Sequence, residues 1–335
     1  MAGGVLAQEA ILDPGIRVDA MSSDTDGRPL AGLVVCTYTI DRLPMLLDLL
    51  QSVGDGDERP SSIVVVVDRD IALAARLQAE LERPGLSVLL SQAGGLSAAR
   101  NVGWRALDTE WVAFVDDDAA VDKRWLSELW ASMTDPQVGI VGGSVDPVWP
   151  NGRVPAWYTR RLGWVVGCSY DGLPRATANV RSVIGCNMAV RRTLLEGTGG
   201  FETYLGRSGG SLIGSEETEL CVRASQLGFR IVYIPAARVR HYMPSGRTRV
   251  EYAIQRAWGE GRSKARLAAM HGPVLGLERR YSAALLHEAL RRARRAFEGE
   301  RAEAGRSAAL LAVLGTTAVA YGVERVRSAT SNGHW

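Results

Sequence analysis

Lysine is close to absent from this chain. Of 39 basic side chains only Lys123 and Lys264 are not arginine, and a net charge of +2 lacks the basic excess of a general nucleic-acid binder. Cysteine is scarce as well. Cys36, Cys168, Cys186 and Cys221 stand alone, with no CxxC and no metal spacing. That argues against a disulfide framework and fits the reduced thiols of a cytoplasmic protein. No basic start followed by a long apolar run opens the chain, so no signal peptide is expected. The glycine-rich stretch 94–103 contains no GxGxxG, which argues against a nicotinamide-binding fingerprint.

What is present suits one large α/β domain with an appendage: 335 residues, 46% hydrophobic. Residues 1–29 read as a loose N-terminal extension, turn-rich from Asp24 to Pro29. Four strand–helix alternations follow. The strands are Leu33 to Tyr38, Ile63 to Val67, Leu86 to Leu90 and Trp111 to Val115, the second apolar at every position as in a parallel sheet buried on both faces. Asp41 is expected to cap the first helix, and a helix from Ile71 to Glu82 follows the second strand. Beyond these lie a helix at 123–133, strands at 138–145 and 182–190, a glycine-rich loop from 199 to 214, and a helix at 215–227. A strand from Phe229 to Ile234 is expected to close at Pro235, with His241 just past it. From 248 onward the pattern is helical, near 249–270, 278–301 and 307–326. The expected architecture is a doubly wound, mostly parallel sheet over 30–245, divided at 118 into two halves, with a helical region over 246–335.

The fourth strand ends in Asp116, Asp117 and Asp118. Like charges about 4 Å apart repel by roughly 1 kcal/mol in water and by about 4 at an effective dielectric near 20. A cation at a strand end, where open α/β sheets bind ligands, removes that repulsion. Thr37, Tyr38 and Asp68 lie at the ends of the two neighbouring strands. Asp68 there can accept an imide N–H or simply cap the following helix.

The pieces VVCTY at 34–38, the valine strand to Asp68, GGLSAARNVG at 94–103 and FVDDD at 114–118 form an ordered series. VGGSV at 141–145, GCNMAVRR at 185–192, GGF at 199–201, GSEETELCVR at 214–223 and the strand into His241 complete it. In this series the chain resembles inverting glycosyltransferases of family 2, which have the GT-A fold. The resemblance implies a nucleotide-diphosphate sugar donor, with UDP the expected nucleotide, and Mg²⁺ or Mn²⁺ as cofactor. It implies Asp118 as metal ligand, with Asp116 and His241 as further candidates, Asp116 also facing the ribose and Asp117 orienting the pair. Thr37, Tyr38, Asp68, Gly95, Arg100 and Asn101 are the remaining candidates for donor binding. Arg100 can grip a diphosphate or pair with the triplet. Asp68-Arg69-Asp70 departs from the family's Asp-Asp-Gly-Ser. Glu217, beside Glu216, is the implied general base, with Glu in place of the usual Asp. Glu219 and Arg223 are read as a surface pair. Trp149 and Asn187 are candidate contacts to sugar or acceptor.

The acceptor class stays open among a glycan, a lipid-linked molecule and a small molecule. Two other readings stand beside the transferase: a non-catalytic sugar-nucleotide-binding assembly subunit and a sugar-1-phosphate nucleotidyltransferase. The latter expects a glycine-rich loop after the first strand, and Cys36-Thr37-Tyr38-Thr39 is not one. Ser307 to Val323 carry no charge but fall short of the roughly 20 residues that a membrane span needs. Beside the arginine-rich stretch before it, this apolar run suits peripheral contact with an anionic membrane through 278–326, packing on the catalytic domain, or a homodimer.

Overall fold

The computed structural model describes residues 29–206, 212–272 and 276–330. The expected N-terminal extension therefore lies outside the described residues except for Arg28's neighbour Pro29, as does part of the 199–214 loop. Strands β1 (Ala31–Thr37), β2 (Ser62–Asp68), β3 (Leu86–Ser91) and β4 (Trp111–Val115) alternate with helices α1 (Leu43–Gly54), α2 (Ile71–Leu81) and α3 (Leu96–Arg105). They pair in parallel, in the order β3-β2-β1-β4. Strand order reverses between β1 and β4, so Thr37 and Asp116 flank the crevice where such sheets bind ligands. The all-valine face of β2 is buried on both sides, which is why its sequence does not alternate.

The second half turns the sheet into a mixed one. It contributes β5 (Ala119–Val121), α4 (Trp125–Met133), β6 (Val138–Val148), β7 (Ala178–Asn179), β8 (Asn187–Arg191), α5 (Arg192–Thr198), α6 (Glu216–Gln226) and β9 (Arg230–Tyr242). β8 runs antiparallel to both β4 and β6, whereas β9 is parallel to β6 and antiparallel to β5.

Two local expectations change. The strand expected to close at Pro235 continues to Tyr242. A bulge absorbs the proline: Gly143 pairs with Ile234, Ser144 pairs with Arg238, and the Ser144 hydroxyl donates to the Pro235 carbonyl at 2.8 Å. Asp41 does not cap α1. Ile40–Arg42 form a single 3-10 turn whose cap is Thr39, and Arg42 occupies the N-cap position of α1.

Helices α7 (Val250–His271), α8 (Gly276–Phe297) and α9 (Arg301–Thr330) pack on the aromatic segment 149–170. α9 is longer than its uncharged run because its buried glutamates are paired with arginines. Glu324 accepts from Arg262 at 2.8 Å and Arg266 at 2.9 Å, and Glu303 pairs with Arg292 and Arg306. Gly261 lets α7 approach α9 closely, since a Cβ there would lie 2.3 Å from the Thr317 carbonyl.

Candidate active site

The bulge in β9 decides what meets the aspartates. Beyond it the strand stays paired with β6 up to Tyr242, and on its other edge His241 pairs with Ala119 in β5, directly after the triplet. The Tyr242 N–H donates to the Asp118 carbonyl at 2.8 Å, and His241 Nε2 lies 3.0 Å from Asp118 Oδ1. Asp116, Asp118 and His241 each offer a ligand atom, all within 4.8 Å of one another. Both side-chain oxygens of Asp118 are buried without a hydrogen bond. His241, Arg42 and Arg247 keep this carboxylate charged, and a hard divalent ion ligated by two carboxylates and an imidazole can use the lone pairs that remain. The residues present therefore fit such an ion.

The surrounding cations hold the triplet together. Arg42 donates to Asp117 Oδ1 and lies 3.2 Å from Asp118 Oδ2, while Arg247 approaches the same oxygen at 3.8 Å. Arg247 Nη1 also sits 3.3 Å from His241 Nε2. Burial pushes Asp117 up to about 6, opposed by Arg42. For Asp118 burial acts upward too, but the neighbouring His241, Arg42 and Arg247 win and hold it well below the usual carboxylate range.

Arg100 links this centre to α6. It is buried, and its Nη1 donates to Glu216 Oε1 at 3.0 Å, while Nη2 donates to Asp116 Oδ1 at 3.3 Å and to the Gly185 carbonyl at 3.0 Å. Of the two roles open to it, the structure displays pairing with the triplet. Glu217 is half-buried next to Gly185 and is pushed up to about 8 by burial and by the charge of Glu216. Ser215, just before α6, has a left-handed backbone (φ 76), an uncommon state for a non-glycine residue and one found at functional turns. Glu219 is not a surface residue. It is buried, accepting from Arg223 and lying 3.0 Å from His271 Nε2.

A cavity of about 1200 Å³ opens over the strand ends. Thr37, Tyr38, Asp68 and the triplet form one wall, and Pro244 to Gln255 supplies the other through Arg247, Arg249 and Tyr252. Asp68 does not cap α2, which Asp70 does by accepting from the Leu73 N–H at 2.9 Å. Instead Asp68 Oδ2 accepts from the Gly95 N–H at 3.0 Å, and its Oδ1 is buried without a hydrogen bond. Gly95 thus bears on the cavity through Asp68.

Gly95, Arg100, Glu216, Glu217 and His241 do not line this cavity, and three further candidates are engaged elsewhere. Asn101 is spent on the 199–201 turn, donating to the Phe201 carbonyl and accepting from Trp104 Nε1 and the Phe201 N–H. Asn187 is fully buried, donating to the Ser144 and Ala237 carbonyls and accepting from Trp125 Nε1. Trp149 packs edge-on to Tyr158 in the aromatic core, 8% exposed. None of the three lines the cavity. Sequence reasoning passed over Arg42 and Arg247. Arg42 carried a signal, because a cation at a helix N-terminus runs against the macrodipole and needs another reason to be there; Arg247 sits in an irregular turn with no such mark.

A mixed sheet with a metal-capable Asp-Asp-His cluster at its switch point is the arrangement of the GT-A glycosyltransferases. The fold matches the mannosyltransferase PcManGT from Pyrobaculum calidifontis, solved with GDP-Man and Mn²⁺, at a TM-score of 0.60 and 21% identity, over 91% of this chain and 89% of that one. In sequence, residues 29–260 match the profile of the Glycosyltransferase like family 2. The chain belongs to that family. It is 30% identical over 236 residues to a glucosyl-dolichyl phosphate glucuronosyltransferase of Haloferax volcanii, covering 69% of this chain and 75% of the relative. It is also 28% identical over 243 residues to the succinoglycan biosynthesis protein ExoM of Rhizobium meliloti, covering 70% and 74%.

Proposed function

We propose that this glycosyltransferase is metal-dependent and inverting, moving a sugar from a nucleotide diphosphate to an acceptor hydroxyl during glycan, polysaccharide or glycolipid assembly. The observation that carries the reading is the convergence of Asp116, Asp118 and His241, whose ligand atoms all lie within 4.8 Å of one another. A divalent ion bound there, Mg²⁺ or Mn²⁺, would supply Lewis-acid stabilisation of the departing diphosphate. Asp118, His241 and Asp116 would hold it, Asp116 also facing the ribose.

The chain's own groups do the rest. Glu217 takes the proton of the acceptor hydroxyl, and the hydroxyl oxygen attacks the anomeric carbon from the face opposite the nucleotide. The bond from that carbon to the diphosphate oxygen breaks, and the electron pair leaves with the diphosphate. Glu217 starts with raised proton affinity, which suits a base working near neutral pH. Arg100 keeps Glu216 paired and so leaves the adjacent carboxylate to act. Asp68 at the cavity wall, whose Oδ1 has only the Arg69 guanidinium at 3.5 Å, suits an imide N–H and supports UDP as the nucleotide, and Tyr38, 57% exposed at the cavity wall, offers a face for the base to stack on.

The relatives named above favour a lipid-linked glycan or a polysaccharide as acceptor. α9 supports contact with a lipid surface. It is long and apolar enough by composition to cross a membrane, but a third of its most apolar window is buried against the protein. Leu311, Val319, Val323 and Val326 are exposed on it, with Arg325 and Arg327 at its end. That pattern suits a helix lying on an anionic surface.

The test is a panel of nucleotide sugars assayed for metal-dependent thermal stabilisation and for release of free sugar, on the parent and on Asp118→Ala. A stabilising donor with metal-dependent turnover is expected, both lost in the variant. Full turnover by Asp118→Ala at saturating donor and metal refutes the reading; donor binding without sugar transfer or release points to a binding subunit.

A further inference from the structure

Arg42 stands at the N-cap of α1, where local rules favour negative charge. It is held there by the site. One arm of its guanidinium donates to Asp117 Oδ1, the other lies 3.2 Å from Asp118 Oδ2, and its Cζ sits 4.8 Å from the centre of the Tyr38 ring. Its side chain is 17% exposed and lines the donor cavity. Asp118 is thus shared between this guanidinium and the cluster of ligand atoms that it forms with Asp116 and His241.

We propose that Arg42 is an exchangeable counter-cation. The guanidinium and the divalent ion compete for Asp118, and the arm released by Asp118 turns onto the diphosphate that arrives with the ion. The inference rests on the donor chemistry proposed above and adds a residue and an order of events to it. Three features support it. A planar fork that spans two carboxylates also spans two phosphate oxygens, so the same group serves both partners. Arg100, by contrast, is committed to Glu216, Asp116 and the Gly185 carbonyl, and cannot turn without leaving Glu216 unpaired. The Tyr38 ring gives the guanidinium a surface on which to pivot while its charge stays covered.

The competition predicts effects of opposite sign. Arg42→Gln and Arg42→Lys are compared with the parent as full chains. Mn²⁺ alone is titrated by the electron paramagnetic resonance of the free ion, and UDP and GDP are titrated by calorimetry at saturating Mn²⁺. Arg42→Gln is expected to bind Mn²⁺ severalfold more tightly and the nucleoside diphosphate about tenfold more weakly, the loss of one charge-assisted pair. Arg42→Lys moves both in the same directions by less, and decides the matter if the glutamine variant does not fold. A purely structural role weakens both ligands together. Mn²⁺ bound no more tightly, or nucleotide affinity unchanged, overturns the proposal. If the parent binds neither UDP nor GDP with Mn²⁺, the donor reading fails and the handover falls with it, while the Mn²⁺ titration alone still decides the competition.

Discussion

His241 Nε2 lies 3.0 Å from Asp118 Oδ1, although one residue ends the first half of the sheet and the other ends its last strand. Side-chain and backbone ties coincide here, because the next residue, Tyr242, donates its N–H to the Asp118 carbonyl. The metal-capable cluster is therefore made by the pairing of β5 with β9, and whatever displaces β9 displaces one of its three members.

Gly143→Ala tests that dependence. A Cβ at this position would lie 1.8 Å from the Ala237 carbonyl, inside the bulge that steers β9 toward the triplet. Backbone must shift to admit it. Thermal unfolding should come at a lower temperature, and Mn²⁺ binding, measured by titration, should weaken although no ligand has changed. Unaltered Mn²⁺ affinity would show that His241 is not held by the bulge.

Glu217 should leave its mark on the pH profile. Its proton affinity is raised by burial and by Glu216, to about 8. As a base it must be ionised, so kcat/KM should rise close to tenfold per pH unit below about 8 and level off above it. The stability term has the opposite sense: a raised carboxyl favours the fold most at low pH, and that contribution fades as pH climbs through the folded-state value. Glu217→Gln should lose turnover by roughly 10²- to 10⁴-fold and should flatten both dependences. A variant keeping the parental pH–rate curve would assign the base elsewhere.

Asn187→Ala should damage the fold rather than donor recognition. It strands the Trp125 indole N–H and the carbonyls of Ser144 and Ala237, all served by one buried amide. Each orphaned buried group costs about 1–3 kcal/mol. Chemical denaturation should report that loss, while the donor KM of the folded fraction stays near the parental value. A large KM change with intact stability would return Asn187 to the sugar site.

Glu324→Ala probes the helical region. Its carboxylate is 1% exposed between Arg262 and Arg266, and removing it leaves two cations facing a helix interface. Both arginines keep some contact with water, so the loss should be about 1–3 kcal/mol, below that for a fully buried pair. Limited proteolysis should then release α9 before the sheet domain is cut. Equal protease resistance would mean that the ion pair contributes nothing to docking.

The first half of the fold was legible because a sheet covered on both faces writes its strands as unbroken apolar runs, with ligand residues at their ends. Val64 to Val67 followed by Asp68, and Trp111 to Val115 followed by the aspartates, follow that rule. Pro235 misled for a physical reason: a proline ends a regular ladder, but a bulge needs no N–H at that point. Asn101 and Asn187 lie inside recognisable motifs, yet sequence does not tell an amide that meets a ligand from one that ties distant backbone segments together. Arg42 and Arg247 were unread because the ion pairs that define them join residues far apart in the chain.

The Trp157 indole N–H donates to the Thr248 carbonyl at 2.8 Å, anchoring the turn that carries Arg247. Arg247, Arg249, Tyr252 and Gln255 all line the cavity, so about a third of its lining is encoded after the last strand. A fragment cut at the end of β9 would keep every residue of the aspartate–histidine cluster and still be an open trough. That wall comes from the turn at 244–248 and the start of α7, so trimming the helical region from the end of β9 removes it along with the tail.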